Sequence, residues 1–128
     1  MFEMFLKLVS VFIGGGIGAT LRYLVTILSN KLFTTSIFGT LFVNIVGCFF
    51  IGCMLGVTTS KANIFSDLSR TFITVGILGG LTTFSTFNIE IFELIKSDKM
   101  FLGFSYMVLS CLLGLLFAYF GYLICSKI

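Results

Sequence analysis

The 128-residue chain is 58% hydrophobic and only 10% charged, with a mean hydropathy of +1.17, which excludes a water-soluble globular domain. Its formal net charge of +3 is spread over both ends and the loops without a basic cluster, so nothing points to nucleic acid as a partner. Histidine is absent, which removes the commonest metal ligand and the best acid/base group near neutral pH, and an enzyme is disfavoured.

A helix needs roughly 20 apolar residues to cross a hydrocarbon core about 30 Å thick. Four such segments fit into this chain with short connectors, which predicts an all-α membrane protein whose surroundings are the lipid bilayer. The expected organisation is a single four-helix transmembrane domain over residues 1–128, with helices near 5–29, 37–57, 71–94 and 100–124. The first apolar run continues from Leu8 to Leu28 without an A-x-A-like cleavage site, so it reads as a membrane span rather than a signal peptide. Cys48, Cys53, Cys111 and Cys125 all fall in spans and form no CxxC pair, and they read as small apolar packing residues.

In the first span, Gly14 and Gly18 stand four apart and present a bare stripe where another helix can approach closely. Arg22 lies inside the same span, where a charge is costly unless it snorkels, pairs or meets water. It either snorkels toward the interface near Lys31 or lines the approach of an anion. In the second span Asn44 is the only strongly polar side chain, with Thr40 one turn before it and Gly47 and Cys48 about one turn after. An amide in lipid is expensive, so Asn44 faces either a partner helix that it glues or a wet path where it donates to an anion. Gly52 and Gly56 repeat the small-xxx-small pattern.

Residues 58–70 form the longest polar connector. The third span reaches Gly76, Gly79 and Gly80 after about two turns, near the bilayer midplane, where helix continuity is therefore expected to fail. A break there would expose carbonyls suited to a small cation at the end of one half-helix and N–H groups at the start of the next. Thr82, Thr83, Ser85, Thr86 and Asn88 follow, with Phe84 and Phe87 three apart on one face. Rings have a positive edge, so two of them turned edge-on beside hydroxyl and amide donors could hold a small anion without a formal charge. Plain packing is the alternative in a chain with 17 phenylalanines. Glu90 and Glu93 are expected to reach headgroup water. In the fourth span Tyr106 and Ser110 are four apart, continuing to Gly114, as polar glue or as a hydrogen-bonding track.

With four spans, Lys7, Lys61, Arg70 and Lys127 share one side and Arg22, Lys31, Lys96 and Lys99 the other, a tie of four against four under the positive-inside rule. The tie predicts insertion in both orientations and an antiparallel, dual-topology dimer with its two-fold axis in the membrane plane. Such an axis would bring the break in the third span against its own copy.

Three stretches, GGIGATLRY at 15–23, GTLFVNIVG at 39–47 and GGLTTFSTF at 79–87, together with the four spans, resemble the Fluc (CrcB) family of bacterial fluoride channels over essentially the whole chain. The resemblance implies a fluoride-selective channel in the cytoplasmic (inner) membrane: an antiparallel homodimer with two pores, each lined by both subunits, exporting fluoride passively. It implies that Phe84 and Phe87 turn their edges to the ion, that Asn44 donates near them, and that Thr40, Ser85, Thr86, Tyr106 and Ser110 belong to the anion pathway. Arg22 would sit at a vestibule, and the backbone carbonyls of Gly79 and Thr82 would hold a structural sodium ion at the dimer centre. Gly114 departs from the pattern, since the track would continue with serine there.

Two other readings fit the size and span count. A small dual-topology multidrug exporter needs a membrane-embedded carboxylate to bind cation and proton in turn, and the first span has none. A non-transporting scaffold would use the glycine stripes but leaves unexplained why hydroxyls, an amide and a helix break converge at one depth.

Overall fold

The computed structural model describes residues 1–60 and 64–127. Lys61, counted above in the charge balance, lies outside the described residues. Those described are helical with short connections and no strands, and four helices are long and apolar enough to cross a membrane: Phe2–Phe33, Ile37–Ser60, Asp67–Lys96 and Met100–Cys125. The protein is a multi-pass, all-α membrane protein. The observed helices outrun the expected ones by a few residues at most ends, because apolarity marks the lipid-facing stretch while the helix continues into polar residues until its backbone is capped.

The caps are visible. The first helix ends where Thr34 turns left-handed (φ 57°) and its N–H bonds to the Asn30 carbonyl. Ser29, buried just before that end, donates to the Thr35 carbonyl (2.7 Å) and accepts from the Gly39 N–H (3.0 Å), which ties the second helix directly to the first. The third span starts at an N-cap, Ser66, whose side chain accepts from the Ser69 N–H.

Packing follows two glycine seams. Hydrocarbon gives no hydrophobic drive between helices, so close backbone contact supplies the attraction. On the first seam Gly14 and Gly18 of the first helix lie against Phe72, Gly76, Ile77 and Leu81 of the third, while Gly80 lies against Gly15. On the second seam Gly52 and Gly56 lie against Ala118 and Tyr122 of the fourth helix, and Gly121 lies against Phe49. The expected stripes at Gly14/Gly18 and Gly52/Gly56 are therefore contact surfaces.

The glycines of the third span were expected to break it, and they do not. Residues Phe72–Leu78 form a widened π-helical segment, Gly79–Leu81 continues as α-helix, and the chain leaves the helix only at Thr82 (φ −77°, ψ 156°). Gly76 and Gly80 serve the approach of the first helix. The second half resumes at Ser85–Lys96.

A side chain at Gly18 would overlap the Ile77 carbonyl and the Leu81 N–H, whereas at Gly16 it meets nothing within 4 Å. Gly18→Val is expected to destabilise by about 1–3 kcal/mol or more, as overpacking does, and to lose the monodisperse peak in size-exclusion chromatography. Gly16→Ala should elute as the unmodified protein does.

Candidate functional site

The break is held by Asn44. Its Oδ1 accepts from the Thr83 N–H (2.8 Å) and its Nδ2 donates to the Thr83 carbonyl (3.1 Å), so one side-chain amide satisfies both backbone groups of a residue outside any helix. Thr82 turns back on Leu78, donating from both N–H and hydroxyl to the same carbonyl. The Thr83 hydroxyl in turn accepts from the Thr86 N–H (3.3 Å) and donates to the Thr86 hydroxyl (3.0 Å), which caps the resuming half-helix. In a continuous helix the N–H groups of Thr83 and Thr86 would bond to the carbonyls of Gly79 and Thr82. Here Asn44 and the Thr83 hydroxyl take those donors instead, so these two carbonyls are released at the break. Arg22 supplies for Gly80 what is lost there, donating from Nε to its carbonyl at 3.1 Å. Half-buried Arg22 thus sits beside the break and uses one of its five donors on the backbone.

Against the break lies an open cavity of ≈ 390 Å³. Asn44, Gly79, Thr82, Phe84, Phe87 and Ser110 all line it, and no residue in its lining carries a charge. Six of the residues proposed from sequence therefore share one space. The Phe84 and Phe87 rings lie 6.3 Å apart at 40°, and they differ in setting: Phe87 is 8% exposed and meets the Tyr106 ring edge-on at 5.1 Å, while Phe84 is 78% exposed in the single chain. The Ser110 hydroxyl is buried and has no hydrogen-bond partner. An unpaired buried donor calls for an explanation, and a ligand in the cavity beside it supplies one. Gly114 lines the same cavity, and the Cys48 sulfur lies 3.3 Å from where its side chain would begin.

A second polar centre adjoins the first through Phe87 and Tyr106. Glu90 is 5% exposed, and its carboxylate collects three hydroxyls: Ser36 (2.5 Å) and Thr40 (2.8 Å) donate to Oε1, and Tyr106 (2.8 Å) donates to Oε2. Glu90 was expected in headgroup water; the structure buries it, because Tyr106 and the start of the second helix close over it. The carboxyl also borders a cavity of ≈ 200 Å³ toward the end of the helices, lined among others by Ser36, Glu93 and Lys99. Thr40 and Tyr106 are thus engaged with Glu90, and neither lines the larger cavity.

The remaining proposed residues divide. Thr86 is bound into the cap, and Ser85 is exposed at the first turn of the second half-helix. Ser36, Thr83 and Glu90 were missed as site residues. Glu90 carried a signal, since it stands three residues after Phe87 and therefore shares its face of the helix. Ser36 lies in a connector and carried none. Asn44→Ala leaves the Thr83 backbone without its partners, and the expected cost is about 1–3 kcal/mol, read as a lower midpoint of unfolding in detergent. Asn44→Asp keeps the acceptor for the Thr83 N–H and should fall between the two.

A sequence-family model described as CrcB-like protein, Camphor Resistance (CrcB), matches residues 9–122. Relatives named fluoride-specific ion channels are similar over nearly their whole length. The one from Flavobacterium psychrophilum is 38% identical over 117 residues, covering 91% of this chain and 94% of the relative. The one from Phocaeicola vulgatus is 43% identical over 111 residues, covering 86% and 90%. The one from Clostridium perfringens is 40% identical over 110 residues, covering 85% of each. With the family model spanning most of the chain and relatives at this identity over most of both lengths, the chain belongs to the CrcB family.

Proposed function

We propose that this chain is a fluoride-selective channel of the cytoplasmic membrane, passing fluoride passively through pathways built at the break in the third span. The observation that carries this reading is the uncharged cavity shared by Phe84, Phe87, Asn44 and the unpartnered Ser110 hydroxyl. Ring edges and neutral donors can replace the water of a small anion, and without a fixed positive charge they hold it weakly enough to release it. The relatives' names supply the identity of the ion.

Glu90 belongs to this reading as a gate. The hydroxyls of Ser36, Thr40 and Tyr106 already meet on its carboxyl. An anion reaching that end of the path finds those donors only when the carboxyl turns away. A membrane-embedded carboxylate is also what a proton-coupled exporter of cationic drugs needs, but the relatives that match along nearly the whole chain are named channels for fluoride.

The working unit is proposed to be an antiparallel homodimer. Phe84, left 78% exposed by the single chain, would be covered by the second copy, which would complete each pathway. The released carbonyls of Gly79 and Thr82 fit a small hard cation, which takes oxygen ligands, and a sodium ion on the dimer axis would join them to their mates. Its contribution would be to neutralise the carbonyl end of the first half-helix in each of the two copies. Arg22, beside Gly80, would contribute positive potential to a vestibule.

Protein reconstituted in liposomes should release fluoride, read with a fluoride electrode, when a potential drives it, and should barely release chloride. Equal flux of the two ions rejects selectivity. Phe87→Ile should cut fluoride flux while the protein remains monodisperse. A single cysteine replacing Lys99, in a chain whose own cysteines are removed, should react with an impermeant label from both faces of the cell membrane. Reaction from one face alone removes the antiparallel dimer.

A further inference from the structure

The second and fourth helices run side by side in the same direction, in a register set by bare backbone contacts. In that register the Cys53 nitrogen lies 3.0 Å from where a side chain on Gly121 would begin, and the Cys125 carbonyl carbon lies 3.1 Å from the same point on Gly56. Each cysteine thus sits beside a glycine of the opposite helix, with no side chain from that glycine between the two backbones. Both are half-buried free thiols, and each lies about one helical turn along its own helix from the glycine that the other abuts, since Gly121 precedes Cys125 by four residues and Gly56 follows Cys53 by three. Cys125 is the last residue of its helix, and the Ser60 hydroxyl donates to the Ser126 carbonyl one residue on, which ties the two helix ends together. The pair therefore lies toward an end of the helices, apart from the cavity that Cys48 and Cys111 line.

We propose that Cys53 and Cys125 form a two-thiolate site for a soft, two-coordinate cation of the Hg(II) type, which clamps the second helix to the fourth. Thiolate sulfur selects soft cations. Structural zinc takes four ligands, and among the described residues no three His, Cys, Asp or Glu side chains gather. Charge points the same way. Each thiol gives up its proton on binding, so two thiolates and one divalent ion make a neutral unit, which a half-buried position tolerates far better than a net charge. Two protons leave for each ion bound, and no oxidant or reductant is involved. The site is independent of the anion pathway, so its test does not depend on transport.

The test is titration of the full chain in detergent with mercuric chloride, in a background carrying Cys48→Ala and Cys111→Ala. Remaining thiols are counted with a pyridyl disulfide, and binding is followed by the ultraviolet absorbance of the mercury–thiolate bond. One ion per chain should remove both thiols together. Removing one of two ligands should weaken binding at least as much as the roughly 10–100-fold seen on losing a supporting partner of a metal ligand, in Cys53→Ser and in Cys125→Ser alike. Two ions per chain, each removing one thiol, overturn the proposal, as does unchanged affinity in either single variant. Alanine versions of both, with size-exclusion profiles matching the parent, separate loss of a ligand from loss of the fold.

Discussion

The pairing of the Asn44 amide with the Thr83 backbone is the interaction on which the rest depends. In hydrocarbon an unsatisfied N–H or carbonyl costs several kcal/mol, so a helix does not open at mid-membrane unless another group takes over its hydrogen bonds. Asn44 can do so because an amide is donor and acceptor at once, matching one residue's two backbone groups. Once Thr83 is held this way, its hydroxyl is placed to cap the second half-helix and the carbonyls behind it are released. Arg22 then meets the Gly80 carbonyl from the first helix, so three spans converge on one gap.

Glycine has a different part in this arrangement from the one its helix propensity suggests. Along the third span it lets the first helix come within backbone contact, which fixes how Arg22 meets the break. Gly47 does the same from the second helix, leaving room for the Thr82 side chain beside Asn44. The widened turns of Phe72–Leu78 lie just before the break, where the helical bonding pattern is already changing.

The site has two electrical characters at two depths. The cavity at the break is uncharged, lined among others by the Phe84 and Phe87 side chains, the Asn44 amide and the unpartnered Ser110 hydroxyl. Beyond Phe87 and Tyr106, a buried carboxyl gathers three hydroxyls into a closed set. Phe87 packs on Tyr106, and Tyr106 donates to Glu90, so a change at the carboxyl reaches the ring through one side chain.

Membrane residence, the number of spans, the glycine seams and the cluster of donors near residue 85 were all legible in the sequence. They depend on apolarity and on spacing along a helix, which are local properties. Three motif stretches also pointed to the family. The position of the break was misread, because glycine spacing looks the same whether it weakens a helix or admits a neighbour; only the first helix lying on Gly76 and Gly80 decides between them. Glu90 was misplaced for a related reason. Distance along the helix put it near the interface, but burial depends on what folds over it, and Ser36, Thr40 and Tyr106 come from one connection and two other helices that no local pattern relates. The sequence by itself determined which chemistry was available, since residue type and period suffice for that. Tertiary structure decided which donors were already taken, because a hydrogen bond between distant residues exists only once their helices have packed.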